Sequence, residues 1–479
     1  MPPRTGLGQQ DESKPNVRKV DPLDRRAYQS RAELPVQRSF PSFSGVGPAP
    51  KGPLERFLSF FADVRAGEGF GVVLLTLDVF LLLFAYYLLK TVREALILTE
   101  GGAYVKAYLS AAQAGLLMVL VPFYGWVATK FVRIQLMTGL FLFFALNLVL
   151  FYSAGLAGAR EGVAFFIWVG IFNVFIISQI WALANDLYTE GQGKRLFPII
   201  GVGSSLGAWL GAQAAERFVR ALKLNPYQLQ LIGAGMLVIC CVVTVLATRA
   251  ITARSEPEMK SHETEKLAAV DGFALIFKNH YLLLIAALVV LLNVVNSSGE
   301  FLLGDLVSTQ AKQLFPSDSA AQKQFVGGFY GSFFAGVNLI GFLLQTFVVS
   351  RLFKFIGVRG SLYILPTIAL VSYSLIAFVP LLALVRVAKT LENSTDYSIN
   401  NTVRQALFLP TSREAKYKAK AAVDTFFMRL GDVLLAGVVA IGAALSWSST
   451  HFAWLNVALV LVWLWVVARL SREHRRMNF

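Results

Sequence analysis

Between residues 386 and 404, six polar residues (Arg386, Lys389, Asn393, Asp396, Asn400 and Arg404) follow one another at steps of three or four. At about 100° per residue they fall within an arc of roughly 100° on one helix face. Cations and amides fixed in this way can hold phosphate or carboxylate groups through charge-assisted bonds, which arginine can make bidentate. The flanking sequence is apolar over membrane lengths, and a charge facing lipid at the bilayer centre costs at least about 2.5–3.5 kcal/mol. The stripe must therefore face partner helices or a water-filled cavity. As a buried ion-pair network it would order helix packing. As a cavity wall it would line the path of an anionic substrate.

Polar residues also gather in three other apolar stretches. The first span carries Asp78, Tyr86, Lys90, Arg93 and Glu94; the fourth carries Gln179, Asp186 and Glu190; the seventh carries Asn293, Asn296 and Glu300. In a chain built of two equivalent six-helix halves, spans one, four, seven and ten occupy matching positions. Four matching helices that are all polar along one side imply a shared central cavity. Its cations, Lys90, Arg93, Arg386, Lys389 and Arg404, suit phosphate or carboxylate. Its acids, Asp186, Glu300 and Asp396, could bind a co-transported proton or pair the cations when the site is empty. Arg93 and Arg404 are expected to face each other across it.

The elements that position these residues follow from composition. The chain has 479 residues, 56% of them hydrophobic and 15% charged, with a mean hydropathy of +0.58. Such a chain is an all-α integral membrane protein. Twelve spans are expected, at about 70–90, 104–128, 134–156, 163–188, 196–216, 228–249, 280–304, 326–350, 359–379, 381–407, 421–446 and 450–469. They form a six-helix half over 65–249 and another over 280–470, separated by a polar cytoplasmic linker at 250–279. The halves echo each other: YGWVATKFVRIQ after the second span resembles VVSRLFKFIGVRG after the eighth. Two such repeats are what a rocking carrier needs, with its site at their interface.

Lysines and arginines concentrate in alternate loops, which places both termini in the cytoplasm; the membrane expected is a cytoplasmic one. Residues 1–64 read as a disordered cytoplasmic tail, and 471–479 as a short one. The first tail has no apolar core followed by a cleavage site, and its acids argue against a transit peptide. The net charge of +15 does not indicate a nucleic-acid partner, because no aromatic-interleaved basic patch accompanies it. Cys240 and Cys241 are adjacent in an apolar run and cannot form a normal disulfide with each other. GVGSSLGAWLG (201–211) lacks the phosphate-loop lysine; its glycines at 203, 207 and 211 read as a close-packing stripe. No Ser–His–Asp set, CxxC or HExxH occurs, so neither an enzyme nor a metal or cofactor is implied.

Four stretches resemble, in order, the motifs of the ATP/ADP translocases of plastids and intracellular bacteria. They are LLKTVREALILT (88–99), NDLYTEGQGKRLFPIIG (185–201), DYSINNTVRQALFLP (396–410) and KYKAKAAVD (416–424). The resemblance implies a major-facilitator-like fold and exchange of adenine nucleotides. It adds Asn185, Asn401 and Lys420 to the substrate-binding candidates Lys90, Arg93, Glu94, Asp186, Asn296, Glu300, Arg386, Lys389, Asn393, Asp396 and Arg404. In the tenth span the family's Lys, Asp, Pro and Glu are replaced by Asp396, Asn401, Thr402 and Gln405, which alters the charge pattern of the site. The expectation is a monomeric alternating-access carrier of a nucleotide-like anion, embedded in the lipid bilayer of a bacterium. The alternatives are a proton-coupled carrier of another organic anion and a membrane scaffold or sensor without flux.

Overall fold

The structure, a computed structural model, describes residues 51–60, 62–253, 269–412 and 415–476. Most of the expected N-terminal tail and half of the linker lie outside these residues. The first half comprises α1 (Gly69–Glu100), α2 (Gly102–Ala128), α3 (Arg133–Leu156), α4 (Gly162–Leu187), α5 (Glu190–Arg220) and α6 (Pro226–Thr252). The second comprises α7 (His280–Leu314), α8 (Ser319–Leu343), α9 (Ile364–Phe378), α10 (Leu382–Thr395), α11 (Met428–Ala444) and α12 (Ser449–Arg476). Beyond Thr395, α10 passes through a π-helical turn, Asp396–Asn400, and resumes over Asn401–Leu407. Among the described residues, eleven helices are long and apolar enough to cross a membrane. The polar, interrupted α10 is the twelfth element of the bundle. Large side chains such as Phe123, Leu142, Phe143 and Leu146 are exposed on the bundle's outer faces, as lipid contact requires. The chain is a multi-pass membrane protein.

Helix ends follow local chemistry. Thr189 caps α5 and Asn225 caps α6, each in a reciprocal capping box with the glutamine three residues on. Three helices run furthest past their expected ends. The 32 residues of α1 reach Glu100 rather than 90, so Arg93 and Glu94 lie inside the helix. The 35 residues of α7 reach Leu314, and α12 runs to Arg476 through most of the expected C-terminal tail. At 1.5 Å per residue α1 is about 48 Å long, well over the roughly 30 Å apolar core, so its polar end still belongs to the bundle.

Helix α5 packs on α1 through the glycine stripe. A Cβ at Gly203, Gly207 or Gly211 would collide with backbone oxygens of Thr76, Phe80 or Phe84, one helical turn apart on α1. Gly207→Val should destabilise the chain by about 1–3 kcal/mol or more, as overpacking does. Gly201→Ala, where a Cβ meets nothing, is the control. Thermal unfolding in detergent checks the pair; equal melting of both variants and wild type would remove the close-packing reading.

The bundle has a basic end, where the Lys130–Arg133 and Lys194–Arg195 segments lie, and a far end, where α1 meets α2. At the far end the two halves are joined. Lys323 Nζ donates to Glu100 Oε1 at 2.7 Å and to Tyr227 OH at 2.9 Å. Ser308 donates to the Leu98 carbonyl, and Arg220 to the Gly328 carbonyl. Ion pairs at the basic end, Arg133–Asp186, Arg195–Glu68 and Lys420–Asp424, each join residues of the same half.

Beside the far-end junction, Glu161 precedes α4 and accepts a hydrogen bond from Gln230 Nε2 at 2.5 Å. Burial pushes its carboxyl up from 4.5 to about 7. A carboxyl raised in the folded state makes a contribution that is fully present below the ordinary value. That contribution is lost as pH climbs toward 7, because ionising a buried acid opposes folding. Thermal stability should therefore fall between pH 5 and pH 8, and Glu161→Gln should flatten that fall. An unchanged slope in the variant would assign the dependence elsewhere.

Candidate functional site

A chamber of about 210 Å³ lies between the halves, lined by Lys90, Arg93 and Glu94 of α1, Lys106 of α2, Asn296 and Glu300 of α7, and Arg429 and Asp432 at the start of α11. Its centre is the Glu94 carboxylate, which is 1% exposed and accepts from Arg93 Nη2 at 2.5 Å and from Lys106 Nζ at 2.6 Å. Lys90 makes no hydrogen bond or ion pair among the described residues. Its ammonium sits 4.3 Å from the centre of the Phe334 ring and 5.2 Å from that of Tyr87, which stabilise a cation without neutralising it. Arg93 also lies 4.9 Å over Phe166. Glu94 therefore holds Arg93 and Lys106, and aromatic faces hold Lys90, in a partly desolvated space. An incoming oxyanion could replace Glu94 as the partner of Arg93 and Lys106.

Behind Glu300 stands a second, closed network. Lys389 Nζ is fully buried, donates to Asn296 Oδ1 at 2.6 Å, and lies 3.2 Å from Glu392 and 3.9 Å from Glu300. Tyr373 donates to Glu392 at 2.9 Å and Asn393 to Glu300 at 2.8 Å. Lys389 and Asn393 thus reach the chamber only through Asn296 and Glu300.

A larger chamber of about 450 Å³ adjoins the first, lined by Asp396, Asn401 and Arg404 of the α10 segment, Ser204 and Ser205 of α5, Asn338 of α8 and Gln345 just beyond it. These residues lie toward the basic end of their helices, whereas those around Glu94 lie deeper, toward the far end. Asp396 accepts from Asn400 at 2.7 Å. Two Arg404 nitrogens, Nε and Nη1, are buried without a partner. Tyr397, on the π-helical turn, lines both chambers.

The expected residues thus divide. Lys90, Arg93, Glu94, Asn296 and Glu300 share the deeper chamber; Asp396, Asn401 and Arg404 share the larger one. Arg93 and Arg404, expected to face each other, line different chambers. Arg386 turns to Ser332 and the Phe329 ring instead. Asp186 is held by Arg133 at 2.7 Å and Lys420 by Asp424 at 2.8 Å, both at the basic end. Asn185 lines a separate pocket there with Tyr188 and Lys194. The reason is depth along the helix: α4 ends at Leu187, so its acid lies at the helix terminus and not at the bundle's centre. Lys106, Arg429 and Asp432 were missed. Arg429 and Asp432 left a signal, opposite charges three residues apart in an apolar span; Lys106 stands alone near a helix start and left none.

A family model described as TLC ATP/ADP transporter matches residues 163–474. The chain is 22% identical over 339 residues to ADP,ATP carrier protein 1 of Chlamydia muridarum (strain MoPn / Nigg), a match covering 63% of this chain and 62% of that protein's length. It is 22% identical over 499 residues to ADP,ATP carrier protein 2 of Chlamydia trachomatis serovar D, covering 88% and 91%. Among solved structures, the nucleoside transporter NupG superposes with a TM-score of 0.57 at 16% identity, covering 84% of this chain and 99% of that one. At that identity the likeness bears on the fold alone, which is the expected major-facilitator-like arrangement.

Proposed function

Because the chain belongs to the TLC ATP/ADP transporter family, we propose that it is an alternating-access carrier that exchanges adenine nucleotides. The observation that carries this reading is the deeper chamber. Lys90, Arg93 and Lys106 converge at the interface of the halves, Arg93 and Lys106 sharing Glu94 as counter-charge and Lys90 held only over aromatic rings. Phosphate oxygens bring more charge than one carboxylate and can make several charge-assisted bonds at once. When no substrate is bound, Glu94 keeps Arg93 and Lys106 paired. This lowers the cost of the empty state but leaves it without the ligand's bridging contacts, which favours reorientation with substrate bound. The far-end junction and the larger chamber on the basic side fit a form open toward the basic end.

The resemblance and the charge bias support a cytoplasmic membrane with the basic end inside, and chambers lined by both halves of the same chain support one pathway per chain. We place the halves at the expected 65–249 and 280–470, with α6 and α12 running a few residues past those bounds. A reporter active only in the cytoplasm should work when fused after Phe479 and fail at Asn225; activity at Asn225 would invert or redraw α5 and α6.

The function is tested with the full chain in proteoliposomes, following labelled ATP. Vesicles preloaded with ADP should take up at least about tenfold more than empty ones, since exchange needs internal nucleotide. Uptake into empty vesicles driven by an imposed proton gradient would instead establish symport. No nucleotide uptake under either condition, by protein shown to be inserted, would defeat the reading.

A further inference from the structure

The deeper chamber, at about 210 Å³, falls below the roughly 300–1,000 Å³ typical of sites that engulf an organic ligand. It can take a polyphosphate end, but the remainder of a nucleotide must lie elsewhere. The adjoining chamber of about 450 Å³ has the room and a different chemistry. Its charges, Asp396 and Arg404, are opposite in sign, and the other polar groups are neutral amides and hydroxyls. Asn338 donates to the Ala208 carbonyl at 3.2 Å, which fixes its amide in this wall. Such a wall of amides and hydroxyls suits the edge of a heteroaromatic base better than phosphate.

Tyr397 stands where the chambers meet. It lines both, and it is 45% exposed although the next three residues, Ser398, Ile399 and Asn400, are buried. It lies on the π-helical turn Asp396–Asn400, and π-turns inside helices recur at functional sites. Across the junction, Tyr87 also lines the larger chamber and Phe334 the deeper one. We propose that Tyr397 is the stacking platform for the heteroaromatic base of the substrate, held in the larger chamber while the phosphates occupy the deeper one. This deepens the nucleotide reading and rests on it. Any base has a π-face, so the platform would favour purine-bearing anions over ringless ones.

The test titrates the purified full chain with etheno-ADP, whose fluorescence is quenched on stacking, using wild type, Tyr397→Phe and Tyr397→Leu. Leucine keeps apolar bulk but no ring, so loss of folding is not the expected outcome. Wild type and Phe should bind with quenching; Leu should bind about 5- to 150-fold more weakly, the range that base–aromatic stacking is worth, with the quenching gone. Inorganic pyrophosphate, as competitor, should displace the probe from the deeper chamber in wild type. Unchanged affinity and quenching in Leu would overturn the proposal while leaving nucleotide binding intact. Equal losses in Phe and Leu would overturn it too, because the ring would not be the cause. Absence of any adenine-nucleotide binding or displacement in wild type would overturn both the platform and the nucleotide reading.

Discussion

Arg93→Ala should lower uptake per inserted molecule by about thirtyfold or more. The guanidinium forks onto Glu94, with its side chain only 15% exposed, at the wall of the deeper chamber. Removing one partner of a desolvated charge pair costs about 2–5 kcal/mol, and 1.4 kcal/mol is a factor of ten. The same truncation leaves Glu94 with Lys106 alone and removes a donor from the incoming phosphate. Arg93→Lys should recover part of the loss, because it restores the charge without the planar fork. Arg404→Ala is the second arm: two of its nitrogens are buried without a partner, as expected of a group that a ligand completes. If these residues only pack, alanine will reduce the amount of protein and the surviving molecules will transport normally. Uptake normalised to inserted protein separates the cases, and normal values for both alanine variants would remove the cation site.

The polar stripe of α10 was legible because its period is local: steps of three and four residues mark one helix face without reference to any other helix. Its division between two chambers was not. Arg386, Lys389 and Arg404 lie on one arc of sequence angle, yet they differ by up to five turns in depth. Depth decides whether a side chain meets Ser332, the buried Glu392 or open space. The interruption at Asp396–Asn400 also shifts the arc after the turn, so extrapolating the 100° period past residue 396 misplaces Arg404. On α4 the spacing of Gln179 and Asp186 was real, but both bond to Arg133 from the start of α3, a partnership set by tertiary packing. Lys106 was invisible for the converse reason. Its partner, Glu94, sits on another helix, and no neighbour in its own turn marks it.

Lys389→Met should be among the most destabilising single changes in the chain, at about 3–5 kcal/mol. The ammonium is fully buried, 3.2 Å from Glu392 and bonded to Asn296, and Gly299 leaves the space it fills. Without it, Glu392, itself 2% exposed, keeps only the Tyr373 hydroxyl, and a buried carboxylate without a cation is strongly disfavoured. The charges cost more in desolvation than a matched apolar pair would, so Lys389→Met/Glu392→Leu should recover most of the stability. It should not recover transport. Lys389 also holds the Asn296 side chain and lies 3.9 Å from Glu300, both of which line the deeper chamber. Freed from that cation, Glu300 would either repel an incoming phosphate or take up a proton, and either change alters the chamber's balance of charge. Thermal unfolding of the two single variants and the double variant gives the coupling, and uptake per inserted molecule gives the function. A double variant that regained both stability and uptake would reduce Lys389 to packing; a single variant as stable as wild type would show that Glu392 finds another partner.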